Sequence, residues 1–198
     1  MRANIHEEVC RWAFSPSLGA FAQAYESDQM DASAVLIPQV GFLPPDDAHV
    51  LGTIRAVEQK LLRGEFVLRY DTDASDDGVP VGVGAFIPCS FWLGNAYVLT
   101  ARLQDAQRLF ERLVALCGDV GLLAEEYDTG AQRAVGNFPQ AFSHTALVNT
   151  AYNIAATRKP CEQRSGNPCV TAATGAEDEA VVEALLGQTG PNAQGARR

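Results

Sequence analysis

"DDAHVLGTIRAVEQKLLRG", residues 46–64, decides the fold class. Val50, Ile54, Val57 and Leu61 recur at spacings of three and four, which sets them on one face of an α-helix. Asp46 and Asp47 stand where acids favour a helix N-terminus. Gly64 is placed as the residue that stops the helix. A single apolar stripe needs a second layer to bury it, so this helix predicts helical neighbours.

Those neighbours are legible on both sides. "IPCSFWLGNAYVLTARL" (87–103) is apolar nearly all round and reads as a buried helix, with Pro88 tolerated in its first turn. After a break near 102–104, "DAQRLFERLVALCGD" (105–119) turns Ala106, Leu109, Leu113 and Leu116 inward and Arg108, Glu111 and Arg112 outward. "NFPQAFSHTALVNTAYNIAAT" (137–157) is a further strong helix that begins at Pro139. Upstream, "NIHEEVCRWA" (4–13) places Ile5, Val9 and Trp12 on one face. "ASAVLIPQVGFLPP" (32–45), headed by Asp31 as an N-cap, reads as a segment buried on both sides and limited by Pro38. Strand is expected only in short pieces near 14–25 and 65–72. Residues 74–86 read as a Gly-rich loop and 118–136 as the loop between two helices. About six core helices result, buried ones alternating with amphipathic ones in an inner and an outer layer. From Arg158 the periodicity ends, and 158–198 reads as a low-complexity or disordered tail, either a shifted reading frame or a genuine extension.

Composition narrows the function classes. The chain has 198 residues, 47% hydrophobic and 20% charged, enough for one globular domain with a core. A net charge of −9 argues against a nucleic-acid partner. No apolar run is long enough to span a bilayer. Charges in "MRANIHEEVCRW" occupy the place of a signal peptide's apolar core, so a cytoplasmic setting is expected. Five scattered cysteines without a C-x-x-C pair read as buried reduced thiols, and no metal or cofactor constellation is visible.

"GLLAEEYD" (121–128) carries the chemistry. Glu125 and Glu126 precede Tyr127 and Asp128, either as solvated surface or as a carboxylate held ready for a proton. Together with "GAFIPCSFWL" (84–93), "GNFPQAFSHTALVNTAYN" (136–153), "DASAVLIPQVGFLPPDD" (31–47) and "IHEEVC" (5–10), it resembles glycoside hydrolase family 15, the glucoamylase and trehalase family, in one collinear stretch over about 4–157. The resemblance implies an all-α fold, the (α/α)6 toroid of six-hairpin glycosidases, here as an incomplete half ring. The domain expected is the C-terminal part of a helical catalytic domain, 1–157.

It also implies inverting hydrolysis of α-glucosidic bonds, of malto-oligosaccharide or trehalose, without a cofactor. Inversion needs two carboxyl groups roughly 6.5–9.5 Å apart, with room for a water beside the base. The family pattern carries over to Glu125 as general base, with Tyr127 walling off solvent or facing the sugar. Gln140, Tyr25, Asp31, Arg69 and Tyr70 match regions that line the sugar pocket. Three of them also have a plainer reading. Gln140 caps a helix, Asp31 caps a helix, and Arg69 pairs with Asp71 or Asp73. Phe142 reads as core packing and His144 as hydrogen-bonded structure. Where bacterial relatives carry an acid in the Gly-rich block, this chain has Val83.

The family's general acid lies upstream of the region corresponding to residue 1. The chain is therefore expected to hold the base without the acid. It should expose apolar residues such as Val35, Leu36 and Trp92, and need a complementary N-terminal half or self-association. The rival expectation is a non-catalytic helical interaction module or an inactive remnant.

Overall fold

The computed structural model describes residues 1–71 and 84–156, all within the first of the chain's two units, Met1–Pro168. The tail expected over 158–198 lies outside the described residues. So do Asp73, Val83 and most of the Gly-rich loop.

The described residues hold five α-helices: α1 (Arg2–Trp12), α2 (Ala48–Lys60), α3 (Ile87–Leu99), α4 (Leu103–Val114) and α5 (Ala141–Ala155). None is long and apolar enough to cross a membrane. Seven strands of two or three residues join them: β1 (Phe14–Ser15), β2 (Ala20–Phe21), β3 (Leu62–Arg63), β4 (Phe66–Val67), β5 (Ala85–Phe86), β6 (Glu126–Asp128) and β7 (Arg133–Val135). The chain is thus mainly helical, which fits the incomplete (α/α)6 toroid expected from the sequence.

Helix α3 is the centre of the core. Every residue from Ile87 to Val98 is buried. The amphipathic helix α4 lays Ala106, Leu109 and Leu113 against it. Helix α5 packs on another side through Ala146 and Thr150, and the Thr150 hydroxyl donates to the carbonyls of Ala146 (2.9 Å) and Phe91 (3.3 Å). The buried amides of Asn153 and Asn95 meet at 3.0 Å and link α5 to α3. Helix α2 starts at the Asp47 cap, whose carboxylate accepts from the His49 N–H (2.8 Å). Its stripe Val50, Ile54, Val57 and Leu61 is wholly buried. Where α2, α3 and α4 converge, the Tyr97 hydroxyl donates to Glu58 (2.7 Å). Arg102 lies over the Tyr97 ring and bridges Glu58 (2.8 Å) and Asp105 (2.9 Å). Burial and then the Glu58 carboxylate push the Tyr97 hydroxyl well up.

Several expectations need correction. Residues 118–136 are not only loop, because β6 and β7 form a hairpin there. Sheet extends beyond the two regions expected, and the paired strand near 65–72 is only Phe66–Val67, against Leu62–Arg63. Gly64 is not the stop of α2. The helix ends at Lys60, and Gly64 has φ +61° between β3 and β4, a conformation that costs glycine nothing. The segment 32–45 is a short 3-10 helix, Ala32–Leu36, followed by turns. Pro38 has no N–H to extend a helix, and the Gln39 side chain instead donates to the Trp92 carbonyl (2.9 Å). Helix α1 buries none of its residues, and Ile5 and Trp12 are about half exposed. It docks through His6, which stacks on Phe42 and donates to its carbonyl (3.1 Å). Cys89 is buried, but Cys10 and Cys117 are only half-buried; all three are free thiols.

The exposed patch is also elsewhere. Val35 and Trp92 are buried and Leu36 half-buried. The large apolar side chains that face solvent include Phe142, Val148 and Tyr152 of α5, with Phe138 just ahead of it. Helix α5 is packed by α3 and α4, and several of its apolar side chains remain about half exposed, so burial follows the neighbours the described chain supplies.

Gly52 tests the packing of α2 on the β1–β2 hairpin. A Cβ there would meet the Gly19 carbonyl oxygen at 2.1 Å, a backbone atom that cannot swing away. Next to it, Thr53 Oγ1 accepts from the Phe21 N–H (3.0 Å). Gly52→Ala is expected to destabilise the domain by about 1–3 kcal/mol through overpacking. Gly118→Ala, with nothing within 4 Å of the added carbon, should stay within about 0.5 kcal/mol. Urea denaturation of both variants reads the difference.

Candidate active site

The approach to Glu125 is built from backbone bonds. Strand β6 is the middle of a three-stranded antiparallel sheet, with β5 on one side and β7 on the other. Glu126 lies opposite Phe86 and Val135, and Tyr127 opposite Ala85 and Ala134. Asp128 closes the β6–β7 turn by accepting from the N–H groups of Gly130 and Ala131, both at 3.0 Å. Just ahead of β6, the Glu125 carbonyl accepts from the Ile87 N–H (3.0 Å), an otherwise unpaired donor at the start of α3. The Glu125 N–H donates to Asn137 O (3.0 Å). Helix α5 fixes the two preceding residues. Ser143 donates to Ala124 O (2.8 Å), Gln140 N–H to Leu123 O (2.9 Å), and Leu123 N–H to His144 Nε2 (3.1 Å). Glu125 therefore stands where the first turns of two helices meet.

The two adjacent carboxyls have opposite surroundings. Glu125 Oε2 accepts from both the backbone N–H (2.9 Å) and the side-chain amide (2.8 Å) of Asn137. Both donors thus converge on a single oxygen and fix the carboxylate's orientation. Oε1 makes no hydrogen bond among the described residues. Gly136 brings the chain this close. It has φ +76°, and a Cβ there would lie 2.9 Å from both Glu125 Cβ and Oε2. Glu126 is raised above the ordinary carboxyl range. Burial is the main cause and the Glu125 charge adds to it, against one backbone hydrogen bond from Gly84. Its Oε2 is buried with no hydrogen-bond partner.

The other expected site residues form a second group. Asp31, itself buried, caps the 3-10 helix through the Ser33 N–H (2.7 Å) and takes the Arg69 Nε at 3.0 and 2.9 Å on its two oxygens. The capping reading of Asp31 is thus observed, and Arg69 pairs with Asp31, while Asp73 lies outside the described residues. Tyr70 bridges Asp31 through the backbone. This group and Glu125 flank the start of α3. Val67 N–H donates to Ser90 (2.9 Å), while Ile87 binds Glu125. Gln140 caps α5, its side-chain oxygen accepting from Phe142 N–H (3.3 Å). Tyr127 sets its ring edge-on to Phe66, centroids 5.4 Å apart. Phe142 is half exposed, yet its ring meets those of Phe86 and Trp92. Tyr25 is half exposed in the loop closed by Gln23 N–H on Gln29 O (2.8 Å). Among the described residues no hydrogen bond or ring contact joins it to either group. A cleft lined by Asp28, Gln29, Met30, Gln59, Lys60, Arg63 and Asp71 holds none of the expected site residues.

The model of Glycosyl hydrolases family 15 matches residues 1–152, which include every residue of the candidate site. The chain belongs to this family. It is 41% identical to a trehalase of Mycobacterium tuberculosis over 138 residues, 70% of this chain and 20% of that protein. It is 32% identical to a trehalase of Thermoplasma acidophilum over 148 residues, 75% of this chain and 25% of that one. The chain thus spans about a fifth to a quarter of the curated relatives it matches. A wild-type glycosidase structure superposes with a TM-score of 0.67 at 22% identity, covering 77% of this chain and 43% of that one. A glycosidase variant solved in complex with glucose gives the same values. These structures share the fold.

Within this family member, sequence reasoning did not find Asn137, Gly136 or Gly84. Gly84 is needed because a Cβ would lie 2.7 Å from the Tyr127 backbone. Positive φ at Gly136 leaves no pattern that the sequence alone displays. Gly136→Ala should cost about 1–3 kcal/mol, from the left-handed backbone and the clash with Glu125 together. Thermal or urea unfolding measures it, and Gly130→Ala, whose Cβ would meet nothing closer than 3.4 Å, is the control.

Proposed function

We propose that this chain carries the general-base half of an inverting α-glucosidase centre. The observation that supports it is the Glu125 carboxylate, held by two Asn137 donors on Oε2 while Oε1 is left for a water. In this reading the water oxygen attacks the anomeric carbon and passes its proton to Glu125. The glycosidic bond breaks, and the leaving oxygen takes a proton from an acid outside the described residues. Arg69, oriented by Asp31, presents its remaining guanidinium donors to sugar hydroxyls, with Tyr70 beside it. Tyr25, Tyr127 and Gln140 complete the proposed contacts. Trehalose is the favoured glucoside, since the relatives at 41% and 32% identity are trehalases. Malto-oligosaccharide is the alternative. A cytoplasmic setting belongs to the same proposal.

One observation favours a second reading, a helical interaction module. Apolar side chains of α5 such as Phe142 and Val148 are exposed to solvent, and association would cover them. A complementary segment with the acid, or a second copy, would serve. Sedimentation of the chain alone and with such a segment separates these from a monomer.

The catalytic reading is tested by turnover of trehalose and maltose once the acid is supplied on a longer or second polypeptide. Glu125→Gln is expected to lower turnover by about 10²–10⁴-fold with little change in sugar affinity. Glu126→Gln should cost far less. Proton NMR of the released glucose should show inverted anomeric configuration. Equal losses for the two variants would undo the roles.

A further inference from the structure

The two neighbouring carboxyls Glu125 and Glu126 are not equivalent, and the difference is built into the sheet. Strand alternation sends Glu126 to the face where its cross-strand neighbours are Phe86 and Val135, both apolar. Among the described residues its carboxyl accepts one hydrogen bond, from the Gly84 backbone N–H, and its Oε2 is buried and unpartnered. Glu125, one residue earlier, has two N–H donors on a single oxygen. Glu126 is half-buried, but an ionised carboxylate with one oxygen buried and unpartnered is costly, and a second negative charge beside the first raises the cost. The neutral acid lowers both costs.

We propose that Glu126 is a positioning residue that works as the uncharged carboxylic acid, so that Glu125 alone carries the negative charge of the pair. The proposal rests on Glu125 being the working carboxylate of the family's reaction. It gives the second acid of "GLLAEEYD" a purpose. Glu126 sits on the middle strand across from Phe86 without competing for Asn137 or for the proton that Glu125 is to receive. Among the described residues, the charged and titratable groups on the surrounding elements are few. They are Glu125, Tyr127 and Asp128 beside it on the chain, Arg133 on β7 opposite Asp128, and His144 on α5, already bound to Leu123. Strand β5 carries none. The first turns of α3 add only the Cys89 thiol, which burial holds in its neutral form.

The sign follows from the geometry. A carboxyl that holds its proton more tightly in the folded state contributes stability fully below its unfolded-state value, about 4.3. That contribution is lost as pH rises through the higher folded-state value. Glu126→Gln mimics the neutral acid at every pH. It should therefore match the native chain in acid and become more stable than it from mildly acidic pH upward.

The experiment is a carbon-13 NMR titration of the full chain labelled at glutamate carboxyls, with denaturation of Glu126→Gln run at each pH. The expected result is a Glu126 midpoint above the ordinary glutamate value that moves down in Glu125→Gln, where the neighbouring charge is gone. A Glu126 carboxyl that did not feel the Glu125 charge would not respond to that substitution. An ordinary or lowered midpoint, a midpoint indifferent to Glu125→Gln, or a Gln variant that is less stable at neutral pH or fails to fold would each overturn the proposal. The titration reads Glu126 whether or not Glu125 acts as a base. Its failure is thus distinct from a failure of the catalytic reading, which turnover of the Glu125 variant reports.

Discussion

Helix α3 has no side that faces water, and the rest of the described chain is arranged to satisfy that condition. Twelve consecutive residues, Ile87–Val98, are buried. A helix of this kind gives no preferred direction of its own, so its neighbours supply one. Helix α4 covers one side, α5 another, and the 3-10 helix with Gln39 a third. The open end of its backbone is met by the Glu125 carbonyl. The candidate base is thus placed by the same bond that completes the central helix. Loss of the site and loss of the core begin at one place.

The outer helices were legible because each buries one face. The stripe of α2 and the inward positions of α4 follow the helical period, and the structure buries them as spaced, apart from the half-buried Leu116. Helix α3 was legible for the opposite reason, an apolar run with no polar face. Where the sequence misled, the deciding force was not periodic. Strands of two or three residues are too short to show alternation, so the sheet of β5, β6 and β7 read as loop. Helix α1 has a plausible stripe, but its docking is made by the His6 ring and a single carbonyl. Burial of α5 depends on which neighbours are present, which no local pattern records.

The site divides in the same way. Glu125 was singled out through the pattern of its neighbours in sequence, and the family resemblance supplied the role proposed for it. Asn137 is twelve residues further on and meets Glu125 only because the β6–β7 hairpin folds back. Asp31 and Arg69 are separated by 38 residues, and their pairing was not among the local ones expected from nearby acids. In both cases the partner is selected by tertiary approach, to which sequence spacing is blind. The contrast between Glu125 and Glu126 is of this kind too. Two identical residues in a row differ because the pleat turns one toward donors and the other toward an aromatic ring.

The amide pair Asn95 and Asn153 works as a ruler. A slide of α5 along α3 by one helical turn, about 5.4 Å, would leave apolar contacts broadly interchangeable, since one Leu or Ala position resembles another. It would separate the two amides inside the core, where neither finds another partner. Length along the helix is thereby measured from a fixed mark. Because the first turn of α5 also holds Leu123 and Ala124, that mark sets how far Glu125 reaches beyond the end of α3. A hydrogen bond near the far end of the helix pair thus calibrates the position of a carboxylate at the near end.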